Sequence, residues 1–355
     1  MKQKLKTIIA LSLIPQIIFV KWLSNYPKLV EEYYSKGFYV YISKFFRVLY
    51  GWIPFSVGDI FYALLIIFAI RYIIIKRKYI IQNPLNFIRN CFVVLSVAYF
   101  TFNISWGLNY YREPISYALM LKENQNRKDL IAFVEKLIKK TNLTQVEITG
   151  DSTQMVKTPY TNKEIFKKTV EGYNTLKKIH PSLSYEQASL KESLFSTALS
   201  YMGYGGYLNP FTNEAQVNGL IPPFRFPVVS GHEVGHQIGY SAENETNLIG
   251  YLVTVHNEDI YFKYAAYAYA LSYCLSDIKE NDEATFNMLI PKLNSGVRKN
   301  YLELNTFWQQ YENVTEPIFK SVFNTFLKAN NQNDGIKSYS KVVILLVSYY
   351  QKYPL

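Results

Sequence analysis

The sequence predicts a mainly α protein in two parts. A membrane region with three transmembrane helices takes residues 1–108, and an α-rich domain with a small β edge element takes residues 109–355. Three observations lead there. Three long apolar runs lie before residue 109, bordered by basic and aromatic residues. Beyond it, apolar residues recur at i, i+3, i+4 and i+7 within charged segments. In that second part, His232-Glu233-Val234-Gly235-His236 forms H-E-x-x-H between a Pro-rich stretch and Gly239.

Composition fits such a chain. Its 355 residues are 49% hydrophobic, enough for two regions and a sizeable core. Aromatics reach 17%, with 32 Tyr and 23 Phe, which is high for a soluble enzyme. The net charge of +11 is spread along the chain with no Arg-rich arm. It therefore points to membrane flanks and solubility, not to a nucleic-acid partner. Cys91 and Cys274 are the only cysteines and Cys91 sits in an apolar run, so no disulfide framework is expected.

The elements follow in order. Basic residues 1–6 precede an apolar run from Thr7 to Val20. No A-x-A cleavage site follows it, so an uncleaved first span is expected, kinked at Pro15. Residues 23–52 alternate polar and aromatic, as in a helix lying near headgroups. Ile53 to Ile75 is the second span and Leu85 to Leu108 the third. Lys2, Lys4 and Lys6, and then Lys76, Arg77, Lys78 and Arg89, sit on one side by the positive-inside rule. Everything after Leu108 is then expected to be extracytoplasmic, in a bacterial inner membrane.

Amphipathic helices are expected at Arg127–Lys140, Thr161–Ile179 and Lys191–Tyr201. A loop or strand is expected over Asn142–Pro159. Past the motif, Glu243–Val255, Ile260–Asp277, Asp282–Leu293, Thr306–Leu327 and Ser338–Tyr350 read as helical, with Pro291 and Pro317 kinking or ending theirs.

On a helix, residues four apart share a face, so His232 and His236 can offer two corners of a tetrahedral zinc site. Glu233 lies about 100° round, where a general base must stand to accept a proton from water. The same glutamate also completes Ser230-x-x-Glu233, a capping box that would fold it away from such a role.

A third ligand is needed, and Glu243 and Glu245 are near. Position 242 is Ala, which excludes a third histidine three residues after Gly239. Glu245 heads an apolar stripe of Leu248, Ile249, Leu252 and Val255, where a carboxylate is costly unless paired. Glu243 lines up instead with Thr246, Asn247, Gly250 and Thr254. That phase selects Glu245. Ala215, Gln216, Val217, Asn218 and Gly219 form the candidate edge strand for an extended peptide. Met202–Pro210 reads as a flap or as turn punctuation, His180 as a surface turn residue and His256 as structural. Tyr201, Tyr240 and Tyr339 are candidates for stabilising an oxyanion.

Pro54-Phe55-Ser56, the stretch from Trp106 to Arg112, Pro210-Phe211-Thr212-Asn213-Glu214-Ala215, His232 to Gln237, Glu243 to Asn247 and Asp334 to Tyr339 recur in an order that resembles a bacterial membrane family, domain of unknown function 3810. Its motif is related to those of zincin-type peptidases. The resemblance implies an integral membrane protein with a zincin-like domain. Glu245-Thr246-Asn247 is similar to the Glu-x-Asn of soluble gluzincins, which implies Glu245 as third zinc ligand; Thr246 departs from the usual Ala. The expected protein is thus a membrane-anchored zinc metallopeptidase with a gluzincin-like domain, Zn2+ as cofactor and a peptide or protein substrate. The alternative is a non-catalytic zinc-binding sensor or scaffold.

Overall fold

The computed structural model describes residues 2–122, 126–332, 334–335 and 341–353. Helices α1 (Lys2–Leu11) and α2 (Leu13–Leu23) form one apolar rod broken at Ser12. Pro15 lacks the N–H that would bond the Leu11 carbonyl, so the rod breaks where that bond is missing. A short α3 (Pro27–Leu29) leads into a π-helix (Val30–Phe38) and α4 (Tyr39–Tyr50). The second apolar helix, α5 (Val57–Gln82), starts later than the run that suggested it, because the Ser56 hydroxyl accepts from Asp59 N and caps it there. It then continues through Lys76-Arg77-Lys78. The third, α6 (Pro84–Ser105), takes Pro84 at its first turn and stops before Trp106. The three rods are long and apolar enough to cross a membrane.

A single turn, α7 (Ile115–Ala118), precedes α8 (Arg127–Thr149) and α9 (Asn162–Ile179). The expected loop from Asn142 is helical as far as Gly150, a left-handed cap at φ +72°. Tertiary bonds hold that extension: Asn142 Nδ2 donates to Lys292 O, and Gln145 Nε2 to Gln154 O. β1 (Leu190–Glu192) and α10 (Ser196–Met202) replace the single helix expected over Lys191–Tyr201. β2 (Gly206–Asn209) and β3 (Glu214–Val217) complete a sheet of order β1-β3-β2, with β1 parallel and β2 antiparallel to β3.

α11 (Phe226–Gln237) carries the motif and α12 (Glu243–Val255) packs on it. Next come α13 (Ile260–Asn281), α14 (Glu283–Leu289), α15 (Ser295–Gln310), α16 (Glu316–Ala329) and α17 (Val342–Lys352). The helix expected over Thr306–Leu327 is two, with Pro317 in the first turn of α16. Residues 338–340 of the expected last helix lie outside the described residues. The main core joins α8, α9, α12, α13 and α17 through Leu137, Tyr173, Ile249, Leu252, Leu271 and Leu346.

The two parts of the chain interlock. Glu214 receives the N–H groups of Val57 and Gly58, so a sheet residue holds the first turn of α5. Asp59 in turn receives Ser193 Oγ and Leu194 N. These bonds explain the Asn213-Glu214-Ala215 segment: its glutamate fastens the sheet to the second apolar helix.

Candidate metal centre

The motif helix begins at Phe226, a turn earlier than a cap at Ser230 would allow. Ser230 Oγ donates back to Phe226 O at 2.8 Å, inside the helix. The capping-box reading therefore fails, and Glu233 is not drawn onto the Ser230 amide. His232 and His236 lie one turn apart with ring centroids 4.8 Å apart and planes at 84°. A ligand atom from each of His232, Glu233 and His236 lies within 4.8 Å of the others.

The Nδ1 atoms are already engaged. His232 Nδ1 faces Asn247 Oδ1 at 2.8 Å, and His236 Nδ1 faces Tyr240 O at 2.8 Å. With a proton held on Nδ1 by these acceptors, each Nε2 faces the shared space as the atom a cation would take.

The carboxylate that meets them belongs to Glu243. Its Oε2 is 3.3 Å from His232 Nε2 and 3.7 Å from His236 Nε2. Glu245 is turned away, with Oε1 accepting from Ile115 N at 2.7 Å and Arg112 and Tyr240 close by. The sequence-based expectation put Glu245 beside the imidazoles; the structure brings Glu243 there instead. Its premise was an apolar stripe facing the core, but α12 is buried on all sides, so burial does not fix its phase. Close approach to α11 does. A Cβ on Gly231 would meet Val253 Cγ1 at 2.4 Å, and one on Gly250 would meet Val228 O at 2.6 Å. The small face of α12, Thr246 and Gly250, is therefore the face laid against α11, and Glu243 heads it. The spacing of Gly231 and Gly235 against Thr246 and Gly250, four residues in both helices, was the available signal.

Burial dominates the electrostatics. It pushes Glu233 up to about 7, although the two imidazoles pull the other way. For Glu243 burial also raises, but His232 and His236 outweigh it and hold the carboxyl well below the usual range. Burial disfavours charge on His236, yet Glu243 and Glu233 raise it to about 9. The Oε2 atoms of Glu233 and Glu243 are buried without a well-aligned hydrogen bond among the described residues. Two imidazole nitrogens and a carboxylate oxygen converging in a buried space are what a divalent cation of zinc type requires, the cation displacing the His236 proton, so the residues fit one.

The far end of the motif helix is held by residues from the N-terminal part of the chain, up to Arg112. Trp106 Nε1 donates to His236 O, Tyr39 Oη to Gln237 O, and Arg112 to Gly239 O. The Gln237 carbonyl in the last turn thereby gains a donor, and the His236 carbonyl gains one beside the Gly239 N–H. Arg112 pairs with Glu31 through two bonds at 2.8 and 2.9 Å and stacks on the Tyr240 ring at 3.9 Å.

The expected edge strand at Ala215–Gly219 is also corrected. β3 is the central strand, paired on both sides, and Ala215, Gln216, Val217 and Asn218 are buried. Its main chain has no free edge to offer a peptide; the short, wholly buried run belongs in the middle of a sheet. The edge nearest the motif is β2, within the Gly- and Tyr-rich stretch. A Cβ on Gly206 would lie 2.6 Å from Glu233 Oε1 and 2.5 Å from Gln216 O, so only glycine lets this strand approach the carboxylate.

A cavity of about 690 Å³ opens over the centre. It is lined by His232, Glu233, His236 and Glu243, by β2, and by aromatic side chains including Trp106, Tyr110 and Tyr269. Of the tyrosines considered for an oxyanion, Tyr240 is buried under Arg112 and Tyr201 packs on Tyr311, both outside the lining. Tyr339 lies outside the described residues. Tyr269 lines the cavity with its hydroxyl buried close to Tyr273, a position the sequence could not single out among 32 tyrosines. His180 is buried, not at the surface, and shares Tyr349 Oη with His256.

Fold and site thus define a chain with three helices long and apolar enough to cross a membrane, joined to a helical domain that encloses a His-Glu-His-Glu cluster. The family model described as "Protein of unknown function (DUF3810)" matches residues 34–347, and the chain belongs to that family. Neither the curated proteins nor the solved structures give a match.

Proposed function

We propose that this protein is a membrane-anchored zinc metallopeptidase of the gluzincin type, with its catalytic domain on the extracytoplasmic side of a bacterial inner membrane. The observation that carries this reading is the convergence of His232 Nε2, His236 Nε2 and Glu243 Oε2 beside Glu233, at the floor of a cavity wide enough for a peptide. His232, His236 and Glu243 would hold the cation. When bound, zinc supplies Lewis acidity that polarises a peptide carbonyl and acidifies a neighbouring water.

The chain's own residues do the rest. Glu233, whose buried Oε2 has no other partner among the described residues, accepts the proton of the attacking water and delivers it to the leaving amine. Asn247 and the Tyr240 carbonyl fix the ring orientations and keep each Nδ1 protonated. Tyr269, which lines the cavity, is the tyrosine that would donate to a developing oxyanion.

The second reading is a zinc-binding sensor, which the bonds from Trp106, Tyr39 and Arg112 to the end of the motif helix favour. Glu233→Gln separates the two. In a peptidase it keeps stoichiometric zinc and lowers hydrolysis of a peptide library by about 10²-fold or more. If the wild type carries zinc and yields no chelator-sensitive cleavage, the sensor reading stands and the peptidase reading is refuted.

A further inference from the structure

The walls of the cavity come partly from the apolar rods. Tyr62 lies five residues into α5, about 7 Å along the helix, and Phe102 three residues before the end of α6, about 5 Å. Tyr62 stacks on Tyr207 of β2 at 6.3 Å. Phe102 meets Phe326 of α16 at 6.2 Å, and Trp106 carries the aromatic wall on to His236 at 5.9 Å. The cavity is therefore bounded at the level where α5 and α6 meet the domain.

α16 closes that side. Positions 318, 319, 322, 323, 326, 327 and 329 are apolar and fall on one half of the helix, while Lys320, Ser321, Asn324, Thr325 and Lys328 take the other. Only part of the apolar half is used inside the protein. Leu327 is fully buried, and Phe323 and Phe326 line the cavity. Ile318 and Val322 are 61% and 65% exposed. An uncovered apolar stripe at the end of apolar rods, flanked by lysines, has the chemistry of a helix lying in a lipid interface.

We propose that α16 rests in the bilayer interface and that the cavity receives its substrate sideways from the membrane, between α16 and the outer ends of α5 and α6. The substrate class is a peptide segment bordering a membrane-embedded apolar helix. This deepens the peptidase reading and rests on it for the substrate, whereas the bilayer contact of α16 stands on its own geometry. The bilayer is the occupant chosen because Phe326 touches α6 within its last turn, so α16 is continuous with a helix long and apolar enough to cross a membrane.

The test uses the full chain in liposomes, with Cys91→Ser to remove the exposed cysteine. A bimane probe is attached at Ile318→Cys, Val322→Cys or, on the polar face, Lys328→Cys. Brominated lipids should quench positions 318 and 322 at least about threefold more than position 328. A second arm compares a mixed octapeptide library free in solution with the same library fused to a 20-residue Leu/Ala helix in the bilayer. Ile318→Glu with Val322→Glu should lower cleavage of the anchored library about tenfold and leave the free library unchanged. Aqueous labels at 318 and 322, or equal loss on both libraries, would overturn the proposal. Lipid-quenched labels with no cleavage of either library would support the docking of α16 and refute the peptidase reading instead.

Discussion

Glu243→Ala and Glu245→Ala should fail in different ways, and the difference tests the whole argument about α12. Glu243 Oε2 lies 3.3 Å from His232 Nε2 and has no aligned hydrogen bond among the described residues, so on the proposed reading its removal takes away one of three ligands. Partners one step further out already cost 10–100-fold in metal affinity, so losing the ligand itself should weaken zinc binding by more than about 10²-fold. Glu245 instead receives the N–H of fully buried Ile115. Its removal leaves that donor unpaired, at a cost of about 1–3 kcal/mol, while Arg112 keeps its pair with Glu31. Glu245→Ala should therefore melt earlier yet bind zinc in stoichiometric amount. Metal analysis of detergent-purified protein, with thermal melts in excess zinc and in chelator, reads both. If Glu245→Ala loses zinc and Glu243→Ala retains it, the helix phase set by Gly231, Gly235 and Gly250 is wrong.

Gly206→Ala forces a methyl to within 2.6 Å of Glu233 Oε1 and should lower peptide hydrolysis at least about tenfold with zinc retained; normal turnover would mean that β2 does not set the carboxylate's position. Burial lowers His256 to about 4, aided by the neighbouring His180, while an unfolded histidine titrates near 6.5. Between these values the unfolded chain binds the extra proton, so stability should fall as pH drops from about 6.5 to about 4, by at most about 3 kcal/mol. Urea melts of His256→Gln should show a flatter slope over that window, and an unchanged slope would assign the loss to other groups. A reporter that fluoresces only in the cytosol, fused at Leu355, should stay dark; a bright signal would reverse the topology drawn from Lys76, Arg77, Lys78 and Arg89.

The apolar rods and the motif pair were legible because each depends on local chemistry: run length for the rods, a four-residue spacing for His232 and His236. What escaped depends on partners far along the chain. Glu243 and Glu245 differ by two residues, and only the glycine contacts between α11 and α12 decide which one meets the imidazoles. A strand of four buried residues reads the same at an edge or in the middle of a sheet, and β3 is central because β1 arrives from residues 190–192. The segment expected to lie near headgroups does expose Tyr41, Phe45 and Trp52, but its other side is buried through Val30, Tyr34 and Tyr39. Tyr39 lies almost 200 residues before the carbonyl it bonds, a pairing no local pattern announces.

The bonds that close the end of the motif helix restrict how this chain can be cut or rebuilt. Trp106 and Tyr39 both precede residue 109, yet they serve the carbonyls of His236 and Gln237. A fragment beginning at residue 109 would take the Tyr39 donor from the Gln237 carbonyl, at about 1–3 kcal/mol, and leave the His236 carbonyl with main-chain donors only, on the histidine that faces Glu243. Grafting the helical domain onto a foreign anchor would do the same. Fragments made for biochemistry must therefore carry the segment around Tyr39 and the last turn of α6 along with the motif. A foreign set of rods could replace these only if it brought its own donors to that helix end.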